Sequence, residues 1–194
     1  MPSESQNKKN VLRNYYRSLR NTLSPTEKHD LSLRLSELLK SLPLVQRAST
    51  ILGYAALEDE LDLQSFYAWC MDEGKTLCFP RSEEGNHYHF AEITDLNTSS
   101  TPGAFGILEP RQSCDRFLEQ DATKMSTVML VPGLAFDNSG QRLGYGKGIY
   151  DGLIRAYSAY TIGISAPSCH CETLPRDPWD QQVDLVLSRL DFPT

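Results

Sequence analysis

A loop rich in glycine and basic residues in the C-terminal half constrains this chain more than any other feature. The loop follows the apolar run at residues 128–131, which predicts a buried strand. It precedes residues 149–157, whose apolar side chains recur at helical spacing. Its glycines and basic residues are Gly140, Arg142, Gly144, Gly146, Lys147 and Gly148. We therefore predict an anion site, because glycine lets backbone N–H groups approach a phosphate and a helix N-terminus adds partial positive charge.

The spacing of these glycines excludes two common phosphate-binding motifs. Gly140 to Gly146 encloses one residue more than a Walker A loop allows, and Gly148 stands where that motif needs serine or threonine. The dinucleotide pattern G-x-G-x-x-G fails because Ile149 occupies the place of its third glycine. A flexible linker is the remaining alternative, but a linker needs no basic or bulky residues between its glycines. The pattern favours a non-standard anion-binding loop.

The length and composition of the chain indicate an ordinary globular protein. Its 194 residues, 40% hydrophobic and 23% charged, suit one domain over residues 1–194, of which the polar residues 1–7 are expected to be frayed. A net charge of -6 argues against broad nucleic-acid binding, and no apolar run is long enough for a membrane span. Because no signal peptide is visible, the five cysteines are most simply reduced thiols of a cytoplasmic protein. We expect a monomer.

Apolar periodicity predicts helices that alternate with short strands. The clearest helix start is Ser24-Pro-Thr-Glu27, which combines a serine N-cap, a proline in the first turn and a glutamate for a capping box. The predicted helices cover residues 8–23, 25–42, 62–73 and 149–157, and the predicted strands cover residues 50–55, 76–79, 87–92, 128–131, 160–165 and 183–187. This order predicts an α/β fold with a mainly parallel sheet covered on both faces.

A sheet of this kind also predicts where a ligand binds. Ligands of open α/β sheets bind beyond the carboxyl ends of the strands. That rule brings together residues 55–60, residues 132–151 and a loop next to a C-terminal strand. We therefore expect the acidic stretch after the first strand to lie near the glycine loop.

Several polar residues allow two interpretations. Asp151, in the first turn after the loop, either ligates a cation such as Mg²⁺ or complements the helix dipole. Neither histidine pattern has the further ligands of a zinc site. This favours a loop for Cys169-His170-Cys171 and a solvated strand face for His87 and His89. One face of the first helix is basic, and alone it is more often solvated than functional. That face carries Lys9, Arg13, Arg17 and Arg20.

Taken together, the motifs resemble the 5-formyltetrahydrofolate cyclo-ligase family over nearly the whole chain. The most specific match is the composite of Pro132-Gly-Leu-Ala-Phe-Asp137 and Arg142-Leu-Gly-Tyr-Gly-Lys-Gly-Ile-Tyr-Asp151. The other matching segments are Lys9-Asn-Val-Leu-Arg13, Leu23-Ser-Pro-Thr-Glu27, residues 54–61 and Gly106-Ile-Leu-Glu-Pro110.

The resemblance implies a three-layer α/β/α fold and an enzyme that uses ATP and Mg²⁺. It implies cyclisation of a small-molecule substrate, 5-formyltetrahydrofolate, to 5,10-methenyltetrahydrofolate through an N5-iminium phosphate, with release of ADP and phosphate. The implied catalytic residues are Arg142 and Lys147, and the implied magnesium ligands are Asp151 and Asp180. The implied ATP contacts are Lys9, Asn10, Val11, Leu12, Arg13, Arg142, Leu143, Gly144, Tyr145, Gly146, Lys147, Gly148, Ile149 and Tyr150. The implied folate contacts are Ala55, Glu60, Tyr145, Gly146, Lys147, Gly148 and Ile149.

The sequence departs from the family pattern beside the implied metal ligand. Ile149 stands where the family typically has the first of a pair of tyrosines, and Gly152 stands where it often has arginine. These departures leave open a non-catalytic paralogue that binds folate or nucleotide. A sugar-phosphate isomerase or a coenzyme A transferase on a similar fold would act without ATP, and no nucleophilic glutamate for a transferase is identifiable.

Overall fold

A six-stranded, mainly parallel sheet lies at the centre of the protein. The computed structural model describes residues 4–83, 87–96, 98–103 and 107–187. In chain order, its elements are α1 (Glu4–Arg20), α2 (Pro25–Ser41), α3 (Pro43–Arg47), β1 (Thr50–Leu52), α4 (Gln64–Asp72), β2 (Thr76–Ser82), β3 (Tyr88–Glu92), β4 (Ser100–Pro102), β5 (Leu108–Pro110), β6 (Thr127–Pro132), β7 (Ala135–Asp137), β8 (Arg142–Leu143), α5 (Ile149–Ala156), β9 (Tyr160–Ile164), β10 (His170–Cys171) and β11 (Leu185–Val186). The predicted α/β class is confirmed.

The central strands lie in the order β11-β9-β6-β1-β2-β3. Among these described strands, β2 and β3 form the antiparallel pair and the other pairs are parallel. The register places Ile51 of β1 beside Leu77 of β2 and Val128 of β6. Strand β6 is buried along its whole length, as a parallel strand covered on both faces requires. The carboxyl ends of β1, β6 and β9 meet at one edge of the sheet, at Leu52, Pro132 and Ile164.

Helices cover both faces of this sheet. Ile51 belongs to a buried cluster that also contains Leu39 of α2 and Phe66 of α4. The next residue, Leu52, belongs to a second cluster that contains Leu153 of α5. Successive strand residues point to opposite faces, so α2 and α4 lie on one face and α5 on the other. The predicted three-layer α/β/α arrangement is confirmed.

The first two helices differ in how well their starts agree with the sequence prediction. At the start of α2 the Ser24 side chain accepts from the Glu27 backbone N–H at 3.2 Å, and the Glu27 carboxylate accepts from the Ser24 backbone N–H at 2.8 Å, so the capping box is confirmed. Helix α1 begins at Glu4, four residues before the predicted helix start at residue 8. An ion pair of 2.7 Å between Glu4 and Lys8 supports this first turn.

The segment expected to be one long glycine loop contains a β-hairpin. Strands β7 and β8 pair antiparallel, and β10 adds to β7 in parallel. Gly140 occupies the turn with φ +80°, and a Cβ atom there would lie 2.4 Å from the Val183 carbonyl oxygen. The hairpin holds the beginning of the glycine loop, which leaves residues 144–148 as its irregular part.

Other differences from the sequence prediction are smaller. The final strand spans only Leu185–Val186, and residues 95–124, for which no order of elements was predicted, contain the antiparallel strands β4 and β5. Gly106, a residue of the motif shared with the cyclo-ligase family, lies outside the described residues. No helix in the described part of the chain is both long enough and apolar enough to cross a membrane.

Candidate functional site

The glycine loop forms one wall of a cavity of about 200 Å³. The rest of the lining includes residues of α1 and of the segment after β1, so elements that are distant in sequence meet here. The lining residues are Lys9, Arg13, Leu57, Ile107, Arg142, Leu143, Gly144, Tyr145, Gly146, Lys147, Gly148, Ile149, Tyr150, Asp151 and Asp180. The structure therefore brings together the predicted loop, two of the basic residues of α1 and both predicted magnesium ligands.

Basic side chains pack directly against the backbone of this loop. A Cβ atom on Gly144 would lie 2.4 Å from Arg142 Nη1. Gly146 has φ +95°, and a Cβ atom there would lie 3.2 Å from Arg13 Cζ. Gly148 is the N-cap of α5 in the left-handed conformation and brings no capping side chain, so the first turn keeps the partial positive charge that favours an anion.

Helix α1 presents part of its basic face to the loop. Arg13 Nε donates to the Gly144 carbonyl oxygen at 2.9 Å. Lys9 is 4% exposed although lysine is rarely buried, and it also lines the cavity. For these two residues the interpretation of a merely solvated face is wrong.

Arg142 lines the cavity and contacts two other lining residues, Tyr150 and Asp151. Its Nη2 donates to Asp151 Oδ2 at 3.0 Å, and its guanidinium carbon lies 5.6 Å from the centroid of the Tyr150 ring. Among the described residues, its buried Nε–H has no hydrogen-bond acceptor. An unpaired buried donor on a guanidinium is costly, so a shift of this side chain that paired the donor with an anion would be favourable.

Both predicted magnesium ligands are paired with basic residues of the same cavity. Asp151 accepts from Arg142 and, through Oδ1, from the Gln181 backbone N–H at 3.0 Å. Asp180 Oδ2 accepts from Lys9 Nζ at 2.5 Å and from the Asp177 backbone N–H at 2.7 Å. Lys9 also donates to Asp177 at 2.7 Å. Among the described lining residues four are basic and two are acidic, so positive charge remains in excess.

The donor set suits a magnesium ion that arrives with a phosphate. Within the described ranges no three His, Cys, Asp or Glu side chains cluster to form an all-protein site. Magnesium is commonly held by one or two carboxylates, with substrate phosphates and water as its other ligands. Asp151 and Asp180 line one cavity and supply two carboxylates of this kind.

A second cavity of about 410 Å³ adjoins the first, and Leu57 lines both. The predicted folate contacts Ala55 and Glu60 line this second cavity. Glu60 Oε2 accepts from the Leu57 backbone N–H at 3.0 Å, and burial raises the pKa of its carboxyl above the usual value. Three aromatic residues that were not predicted as contacts also line this cavity: Tyr54, Tyr67 and Phe79. Tyr54 follows the carboxyl end of β1, Tyr67 lies in α4 and Phe79 lies in β2. The position of Tyr54 near a strand end could have indicated a ligand contact from the sequence.

Three predicted nucleotide contacts lie away from the loop cavity. Asn10 is exposed, and its Oδ1 accepts from Arg13 Nη1 at 2.6 Å. Val11 is 69% exposed, and Leu12 packs against the cluster formed by α1, β7 and β8. Their assignment as nucleotide contacts stays a prediction.

The histidine and cysteine patterns serve the fold. His89 is 3% exposed beside Arg81, whose Nε donates to His89 Nε2 at 3.2 Å, so a solvated strand face is the wrong interpretation for His89. Cys169 is buried in the apolar cluster beneath α1, and the His170 ring bonds the Asn138 side chain at 2.8 Å. All five cysteines are free thiols.

Replacing Glu60 by glutamine is expected to flatten the pH dependence of stability. Because burial raises the pKa of Glu60 above its ordinary 4.5, the native state binds this proton more tightly than the unfolded chain does. The contribution of the Glu60 proton to stability is complete below the pKa of Glu60 in the unfolded chain. It is lost as the pH rises through the pKa of Glu60 in the folded protein. Urea unfolding of both proteins between about pH 4 and 7 measures the difference.

The matched control is Glu37→Gln, which changes a side chain that is 72% exposed. Its pH dependence should follow that of the unmodified protein. Equal slopes for Glu60→Gln and the unmodified protein would contradict the inferred direction of the pKa shift.

The layered fold, the basic glycine loop and the two joined cavities define a three-layer α/β/α protein whose site suits an anionic small molecule. The sequence model of the 5-formyltetrahydrofolate cyclo-ligase family matches residues 5–189. The chain belongs to this family, as its motifs implied, and thereby to a family of enzymes.

Individual relatives agree with this assignment. The mouse (Mus musculus) protein named 5-formyltetrahydrofolate cyclo-ligase is 26% identical over 174 residues, which cover 85% of each chain. The Escherichia coli K12 protein of the same name is 26% identical over 184 residues, which cover 89% of this chain and 95% of the relative. The solved structure of Aquifex aeolicus 5,10-methenyltetrahydrofolate synthetase has a TM-score of 0.80 and 33% identity, and the match covers 92% of this chain and 88% of that one.

Proposed function

We propose that this protein catalyses the ATP- and Mg²⁺-dependent cyclisation of 5-formyltetrahydrofolate to 5,10-methenyltetrahydrofolate, releasing ADP and phosphate. Family membership over residues 5–189 supports the reaction, since relatives carry the corresponding enzyme names. The observation in the structure that carries the proposal is the loop cavity, which Arg142 and Lys147 line together with the two carboxylates Asp151 and Asp180.

The chemistry requires activation of a poor leaving group. The formyl oxygen takes the terminal phosphoryl group of ATP, which gives an N5-iminium phosphate and ADP. Substrate N10 then attacks the activated carbon and loses its proton, and the carbon–oxygen bond breaks as phosphate leaves. Phosphoryl transfer asks a protein mainly for positioning and for neutralisation of charge.

The residues of the loop cavity are suited to these two tasks. Gly144, Gly146 and Gly148 allow close approach of the phosphate oxygens, while Arg142 and Lys147 supply positive charge. We assign Asp151 and Asp180 as the groups that would hold Mg²⁺. When bound, the ion would neutralise phosphate charge. Arg142 and Lys9, now paired with these carboxylates, would then be able to contact the phosphates instead.

The second cavity is suited to the folate ring system. Glu60 is buried and carries a carboxylate that can accept from ring N–H donors. The aromatic side chains of Tyr54, Tyr67 and Phe79 supply an apolar lining. Because Leu57 lines both cavities, a formyl group at their junction would lie beside the phosphate loop.

A non-catalytic binding protein is the second candidate function. The observation that favours it is Ile149, which lines the loop cavity where the family pattern has a tyrosine. Such a protein would bind folate or nucleotide without consuming ATP. We expect the cytoplasm as its compartment in either case, a prediction supported by the five free cysteines.

A cyclisation assay distinguishes the two functions. The absorbance of methenyltetrahydrofolate should rise when 5-formyltetrahydrofolate, ATP and Mg²⁺ are all present, and omission of any one should abolish the rise. Binding of both ligands by calorimetry without ADP formation would support the non-catalytic alternative. The enzymatic proposal fails if the complete mixture yields no product at any ATP concentration.

A further inference from the structure

The side chain of Tyr145 leaves the glycine loop and ends among charged residues that line neither wall of the loop cavity. Its ring lies 5.5 Å from the guanidinium carbon of Arg17 and 6.0 Å from that of Arg20. Its hydroxyl accepts from Arg20 Nη1 at 3.2 Å and lies 2.8 Å and 2.9 Å from the two carboxylate oxygens of Asp59, to which it donates. The hydroxyl therefore joins the loop to the acidic segment after β1.

Asp59 is directly followed by Glu60, the buried carboxylate of the second cavity. Arg20 holds both residues, since its Nε donates to the Asp59 carbonyl oxygen at 2.7 Å and its Nη2 lies 3.9 Å from Glu60 Oε1. Arg20 is 7% exposed and the Asp59 side chain is 21% exposed, so this network is partly buried. A continuous set of contacts thus runs from Tyr145 in one cavity to Glu60 in the other.

Besides the hydrogen bond from Arg13 to the Gly144 carbonyl oxygen, the loop has a second anchor in the side chain of Tyr145. Gly144 and Gly146 flank it, and neither has a side chain that could fix the backbone. A hydrogen bond to a carboxylate in partly buried surroundings is stronger than an exposed neutral one. The positions of Tyr145 and Asp59 are therefore linked through this hydrogen bond.

We propose that Tyr145 is a positioning residue that couples the two cavities, so that filling one favours the arrangement needed for filling the other. The identity of the two ligands rests on the proposed function. Coupling between two binding sites is reciprocal, so a nucleotide should tighten folate binding by the same factor by which folate tightens nucleotide binding.

The test is the Tyr145→Phe variant, which keeps the ring between the arginines and removes the hydroxyl. Calorimetry should give the Kd of the β,γ-imido analogue of ATP with Mg²⁺, in the presence and absence of 5-formyltetrahydrofolate. We expect a coupling factor of about 5 or more in the unmodified protein and a factor close to 1 in the variant. Tyr15→Phe is the matched control, because Tyr15 is 58% exposed and should keep the coupling intact.

A double-mutant cycle with Asp59→Asn separates a specific link from general destabilisation. If the hydroxyl acts through Asp59, adding Tyr145→Phe to Asp59→Asn should lower the coupling factor little further. Two other outcomes contradict the proposal. If the protein binds both ligands and turns over, but the coupling factors are equal with and without the hydroxyl, the proposed function stands and this inference is wrong. An unmodified protein that binds neither ligand overturns both.

Discussion

Replacement of Lys147 by alanine is expected to lower kcat by roughly 30- to 1000-fold, equivalent to about 2 to 4 kcal/mol of transition-state stabilisation. Lys147 lies between Gly146 and Gly148 on the wall of the loop cavity, where the proposed phosphoryl transfer would take place. Its ammonium group would contact charge that develops on the transferred phosphate. Steady-state rates of methenyltetrahydrofolate formation at saturating ATP measure this loss.

The structure also makes this variant interpretable. Lys147 is exposed, so its truncation should change the free energy of unfolding by no more than about 0.5 kcal/mol. Lys124→Ala is the matched control, because Lys124 is also an exposed lysine and pairs with Asp184 rather than lining either cavity. If the Lys147→Ala protein folds normally and retains near-normal kcat, the glycine loop does not have the proposed role in phosphoryl transfer.

Replacement of Phe136 by alanine is expected to lower the free energy of unfolding by about 3 to 5 kcal/mol. Phe136 of β7 is 0% exposed and fills the space above two glycines. A Cβ atom on Gly163 would lie 2.5 Å from its ring, and one on Gly133 would lie 2.8 Å away. Deleting the ring therefore leaves a void that neighbouring side chains are not placed to fill. Urea unfolding monitored by circular dichroism measures the change.

The control for this second prediction is Met125→Ala, since Met125 is 90% exposed. Its free energy of unfolding should stay within about 0.5 kcal/mol of the unmodified protein. Because β7 pairs with β8, which leads into the glycine loop, Phe136→Ala should also weaken nucleotide binding. A loss of stability below about 1 kcal/mol would mean that Phe136 does not hold the hairpin on the sheet.

Local patterns account for the parts of the fold that were predicted correctly. The capping box at Ser24 and Glu27 needs only residues three positions apart, and the structure confirms it. The buried run of β6 needs only consecutive apolar residues, which a strand covered on both faces requires. The start of α1 at Glu4 was missed because its first residues are polar and carry no apolar periodicity.

Contacts between distant residues account for what was missed. Gly140 was read as part of an open loop, but its φ of +80° and its approach to Val183 belong to the turn of a hairpin. The burial of His89 depends on Arg81, which lies on the paired strand β2. Neither pairing leaves a signal in the spacing of neighbouring residues.

The sequence by itself determined the class of fold, the glycine loop and the family, because strand patterns, turn glycines and a long composite motif are properties of contiguous residues. Only the tertiary structure decided how charges are arranged around that loop. Lys9 meets Asp180 across 171 positions, and Tyr145 meets Asp59 across 86. These residues meet because the parallel sheet brings the carboxyl ends of its strands to one edge, and because α1 packs across that edge.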